Sequence, residues 1–126
     1  MSKEIILVIQ SNKKSAYLLD FLLSREGYQV ISTSGCYEAE TLMNKIQTPK
    51  LIIMDAALSN ANNNKMITLI KQKAEWLHTP ILLLASQYNQ IQIDSALNAG
   101  ANDFIVQPFL HSELLTHLHD YSMYMH

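Results

Sequence analysis

Short apolar runs and segments of helical period alternate five times along the chain. Residues 5–9, Ile-Ile-Leu-Val-Ile, are too few for a core helix and give way at once to polar side chains, which predicts a buried strand. Ser11 or Asn12 then caps a helix over residues 13–26. There Ala16, Leu18, Leu19, Leu22 and Leu23 recur at helical spacing, and Gly27 supplies a left-handed stop. A second strand is predicted over 28–33, and a second amphipathic helix over 37–46 carries Ala39, Leu42, Met43 and Ile46 and exits at Pro49. The run Leu51-Ile52-Ile53-Met54 reads as a third strand that stops at Asp55. Beyond it the pattern predicts a polar loop over 59–64 and a helix over 65–75 with Met66, Leu69 and Ile70. Pro80 opens a fourth strand over 81–84, a helix over 89–99 stops at Gly100, and a strand over 103–106 precedes a fifth helix over 112–121.

Five strand–helix units with short connections call for a parallel sheet covered by helices on both faces, because the strands are apolar on both sides and each crossover is right-handed. Residues 10–14, Gln-Ser-Asn-Lys-Lys, contain no glycine, so a dinucleotide fingerprint after the first strand is excluded. The expected architecture is α/β: a flavodoxin-like (βα)5 three-layer sandwich with a five-stranded parallel sheet in the order 2-1-3-4-5. In such sheets ligands bind at the carboxyl ends of the strands, beside the first and third. Those two strands end at Gln10 and Asp55, and Asp55 becomes the candidate for chemistry.

Composition narrows the picture further. At 126 residues and 48% hydrophobic, the chain suits a single domain over 1–126 with one set of core layers. A net charge of −2 lacks the basic excess of a phosphate-tracking protein, so no direct nucleic-acid binding is expected. Cys36 is the single cysteine, which removes an internal disulfide and any zinc spacing built on cysteine pairs. No signal-peptide pattern and no membrane-length apolar stretch is present, and a cytoplasmic domain is expected. His117 and His119 are two apart and fall on different sides of a helix, which is wrong for joint metal ligation. Lys65, Lys71 and Lys73 read as a solvated helix face, and Trp76 and Tyr88 as packing residues.

Three segments carry a family resemblance. The stretch Ala99-Gly100-Ala101-Asn102-Asp103-Phe104-Ile105-Val106-Gln107-Pro108-Phe109, the strand Leu51-Ile52-Ile53-Met54-Asp55 and the tetrapeptide Gly27-Tyr28-Gln29-Val30 stand in order and at matching spacing. Over essentially its whole length the chain resembles the receiver domain of two-component response regulators. The resemblance implies that Asp55 occupies the phosphoacceptor position and Phe104 the switch-aromatic position. It also implies partners for Asp55 that this chain lacks. Where receivers carry an acidic pair for Mg2+, Gln10 and Ser11 stand; where they carry a lysine, Gln107; where they carry a threonine or serine, Ala85. In the following loop Ser59 and Asn63 replace the usual proline and glycine, and asparagine tolerates the turn at lower rigidity.

Two carboxylates for the metal and one ammonium for the phosphoryl oxygens are therefore missing. The expectation is a degenerate receiver, a pseudo-receiver, that is not an enzyme and binds Mg2+ weakly or not at all. Gln10, Ser11 and Gln107 would hydrogen-bond Asp55 in an uncharged network and hold one conformation without a signal. Its work would be a phosphorylation-independent protein interaction; a working phosphoacceptor at Asp55 is the competing expectation. By the resemblance, the interaction face is the fourth helix, fifth strand and fifth helix, with Tyr88, Ile91, Asp94, Ile105, His117 and Tyr121. A protein partner, a downstream output domain or a homodimer would meet that face, and no membrane is involved.

Overall fold

The computed structural model describes residues 3–56, 60–85 and 90–124, and of 60–63 and 121–124 the backbone alone. Five strands and five helices alternate: β1 (Ile5–Ile9), α1 (Lys13–Arg25), β2 (Gln29–Thr33), α2 (Cys36–Leu42), β3 (Leu51–Asp55), α3 (Asn60–Gln72), β4 (Ile81–Ala85), α4 (Gln90–Ala99), β5 (Asp103–Val106) and α5 (His111–Tyr124). All pairings are parallel, in the order β2-β1-β3-β4-β5. This is the expected flavodoxin-like sandwich. No helix among the described residues is long and apolar enough to cross a membrane.

Side chains alternate across the sheet and divide the core into two layers. Leu7, Ile9, Ile52, Met54, Ile81, Leu83 and Ala85 face one way and pack with Ala39 of α2, Met66, Ile67 and Ile70 of α3, and Ala96 of α4. Ile6, Val8, Leu51, Ile53, Leu82, Leu84 and Ile105 face the other way, onto Leu19 and Leu23 of α1 and Leu114 and Leu118 of α5. β3 and β4 are buried at every position, so truncating any of their large aliphatic side chains to alanine costs about 2–5 kcal/mol.

Local chemistry explains the element ends. The Asn12 side chain caps α1 by accepting from Ser15 N, and Gly27 takes a φ of 94° after the helix. At the start of β5, Asn102 pairs with Ile81 twice, its side-chain oxygen accepting from Ile81 N at 2.9 Å and its own N–H donating to Ile81 O at 2.9 Å. An amide side chain thus extends the sheet ladder by one step.

Three expectations change. The polar loop predicted over 59–64 lies partly outside the described residues at Ser59, and from Asn60 onward it is the opening of α3. Burial of Met66, Ile67 and Ile70 anchors that helix, and the propensity cost of asparagine, about 0.7 kcal/mol per residue at most, is too small to stop it. The second helix ends at Leu42 rather than 46, where the chain tightens into turns with Lys45 N donating to Leu42 O at 2.8 Å. Lys71 is not on a solvated face. Its Nζ reaches under the turn before β4 and donates to Leu77 O at 3.3 Å and Thr79 O at 3.1 Å, and burial pushes its pKa down. Its stem also fills the space beside Gly100, whose φ is 129° and whose added Cβ would meet Lys71 Cγ at 3.2 Å.

Lys71→Ala removes both carbonyl contacts and is expected to lower unfolding free energy by about 1–3 kcal/mol in urea melts, with the fold retained by circular dichroism.

Candidate functional site

The carboxyl ends of β1, β3, β4 and β5 meet at one edge of the sheet. Continuing the register Ile9↔Met54 by one residue places Gln10 beside Asp55, and Asp55 in turn sits opposite Leu84. The ladder does not fray there: Gln10 N donates to Thr33 O at 3.0 Å, Ala56 N to Leu84 O at 2.8 Å and Gln107 N to Ala85 O at 2.7 Å. The two-residue alternation then assigns Gln10, Asp55 and Gln107 to the α1/α5 side of the sheet. Ala85 and Phe104 belong to the opposite side, where both pack with the α3/α4 layer. Strand order puts β5 two strands from β3, about 10 Å at ordinary spacing.

Asp55 is 7% exposed and Gln10 4% exposed, so each needs polar partners within the fold. Asp55 has such contacts. Gln10 turns its Oε1 to its own chain, accepting from Asn12 N at 2.9 Å, which braces the turn into α1. Ser11 is exposed, Gln107 half-buried, and the Gln107–Pro108 peptide is cis. Ala85 is 3% exposed and ends β4 with a methyl group at the position where the resemblance places a hydroxyl. Asp55 is the one carboxylate among these five positions, and none of the other four carries a charge.

Residues 6–119 match the response regulator receiver domain family. The chain belongs to that family. Relatives of this receiver include the transcriptional regulatory protein KdpE of Staphylococcus aureus, 28% identical over 109 residues, which cover 86% of this chain and 46% of that protein. The phosphate regulon regulator PhoB of Rhizobium meliloti is 27% identical over 110 residues, covering 87% of this chain and 48% of PhoB. The receiver thus spans about half the length of these curated relatives. Solved structures agree on the fold. A two-component response regulator from Clostridium difficile superimposes with a TM-score of 0.86 at 21% identity, covering 98% of both chains. The Vibrio cholerae chemotaxis protein CheY4 gives 0.85 at 20% identity, covering 95% of this chain and 99% of its own. The receiver domain of the sensor histidine kinase PA1611 from Pseudomonas aeruginosa, solved with magnesium coordinated in its active-site cleft, gives 0.84 at 22% identity, covering 95% and 98%.

The predicted interaction face is less open than the sequence suggests. Ile105 is 3% exposed, because strand alternation turns it into the α1/α5 core, and it is not available to a partner. His117 is half-buried and committed: Nε2 lies 3.2 Å from Asp103 Oδ2, and Nδ1 lies 2.9 Å from Glu113 O. Asp94 is exposed and accepts from Gln90 Nε2. Ile91 stands out at 79% exposure; Tyr88 and the Tyr121 side chain lie outside the described residues. A contact that sequence reasoning missed ties α4 to α3, where Asn64 Nδ2 donates to Ser95 Oγ at 2.8 Å. Nothing in the periodicity marks it, since both residues are ordinary polar positions on separate helices. Cys36 is half-buried, and burial pushes its thiol pKa up, away from the reactive thiolate.

Asp55→Ala removes a buried carboxylate together with the contacts it makes, and a stability loss of about 1–3 kcal/mol is expected in denaturant melts. Unchanged stability would show that the carboxylate takes no part in holding this edge of the sheet.

Proposed function

We propose that this receiver acts in two-component signalling as a phosphorylation-independent interaction module. The observation that carries the reading is the charge content of the edge around Asp55: one carboxylate and, at the positions of the metal ligands and the fixed cation, Gln10, Ser11 and Gln107. Phosphoryl transfer to an aspartate brings together oxygens that are already negative, and a divalent cation and an ammonium must offset that charge. Magnesium prefers several oxygen ligands with carboxylates among them. The donor set here does not fit it, since Gln10 Oε1 is already engaged by Asn12 N, and Ser11 is neutral and exposed. Glutamine at 107 is also shorter than lysine and carries no charge, across a gap of two strands.

The same substitutions favour a single resting conformation. Neutral amides around one buried carboxylate relieve the mutual repulsion that a cluster of acids would bring, so no incoming cation or phosphoryl group is needed to settle the site. Output then passes through protein contact, and Ile91 on α4 is the apolar residue that the predicted face offers to an output domain or separate partner. The lengths of KdpE and PhoB, about twice the matched region, suit a receiver that works beside a second domain.

Incubation with acetyl phosphate and Mg2+, followed by intact mass measurement, tests the reading. No phosphoryl adduct is expected on the natural chain. The combined variant Gln10→Asp, Ser11→Asp, Gln107→Lys is expected to acquire one at Asp55, since each restored contact is worth about 10²–10³ in rate. An adduct at Asp55 of the natural chain would make it a phosphorylation switch.

A further inference from the structure

The connections that lead into β3 and β4 leave a groove of about 470 Å³ at the end of the sheet opposite Asp55, within the size range of small-molecule sites. Asn44 and Ile46 line it from the α2–β3 connection, and Lys73, Glu75 and Trp76 from the α3–β4 connection. Trp76 is 1% exposed, and among the described residues its indole N–H donates to no acceptor. A buried donor without an acceptor costs free energy that a bound group can recover. The charged groups beside it have capacity to spare as well. Lys73 Nζ lies 3.3 Å from Asn44 Oδ1 and 3.6 Å from Glu75 Oε2, which occupies two of the three N–H donors of the ammonium. At 3.6 Å the pair with Glu75 is longer than a charge-assisted hydrogen bond, and an exposed pair of this kind opens at little cost.

We propose that this groove binds a free α-amino acid with an aliphatic side chain. A cation and an anion side by side disfavour a ligand of a single sign, because any such ligand meets a like charge next to its partner. A zwitterion that carries both charges on one carbon matches them. Its carboxylate would take the third donor of Lys73 and the indole N–H of Trp76, and its ammonium would take Glu75. The aliphatic side chain would then lie against Ile46 and Met43, the apolar aliphatic part of the lining. The reading owes nothing to phosphoryl chemistry, since the groove and Asp55 stand at opposite ends of β3.

Trp76 is the single tryptophan of the chain, so its emission reports on the groove directly. The test is a titration of the whole chain with L-leucine, followed by tryptophan fluorescence and isothermal titration calorimetry. Saturable binding with a change in Trp76 emission is expected. Leucinamide, which lacks the carboxylate, and isocaproate, which lacks the ammonium, are each expected to bind weaker by roughly tenfold or more. Glu75→Gln and Lys73→Met should each weaken L-leucine by a similar factor, with unaltered thermal melting showing that they fold; the two analogues test the natural chain whether or not they do. No saturable heat or emission change at millimolar L-leucine would overturn the proposal. So would equal affinity for either analogue, or binding indifferent to both substitutions.

Discussion

The two-residue alternation of side chains along a parallel ladder buried on both faces governs this molecule. Because β1, β3 and β4 are enclosed by helices above and below, a slip of one residue would drive a whole row of aliphatic side chains into the wrong layer. That penalty locks the register, and the register decides which residues share the carboxyl edge. Gln10, Asp55 and Gln107 stand on one side, and Ala85 and Phe104 on the other, for the same reason that Ile53 and Met54 face opposite cores.

Much of this was legible in the chain itself. Strands of continuous Ile, Leu and Val bounded by Gly and Pro leave few alternatives to a parallel sheet, and β5 falls at the predicted residues. The misreadings share a cause. The asparagines before Lys65 have weak propensities, which burial of Met66, Ile67 and Ile70 overrides. Lys71 looks like any surface lysine until a turn folds its carbonyls over it. The resemblance puts Ile105 on an open face, whereas its parity along β5 turns it into the α1/α5 core. At the candidate site, residue identities were readable and contacts were not: that Gln10 Oε1 accepts from Asn12 N, or that Asn64 ties α3 to Ser95 of α4, depends on side-chain directions that no local pattern specifies.

The fold and the site point in different directions, and the difference is electrostatic. The sheet order is that of a receiver and Asp55 ends its third strand, while Gln10, Ser11, Gln107 and Ala85 carry amides, a hydroxyl and a methyl. Neutral polar side chains supply little of the field that stabilises a transferring phosphoryl group.

The central claim is that the edge around Asp55 does not respond to a phosphoryl group. Beryllofluoride with Mg2+ mimics an aspartyl phosphate without a kinase, and amide chemical shifts of Asp55, Ala85 and Gln107 report on the site directly. The account predicts shifts that do not move across the titration. Saturable, Mg2+-dependent movement at these three amides would contradict it and make Asp55 the centre of a working switch.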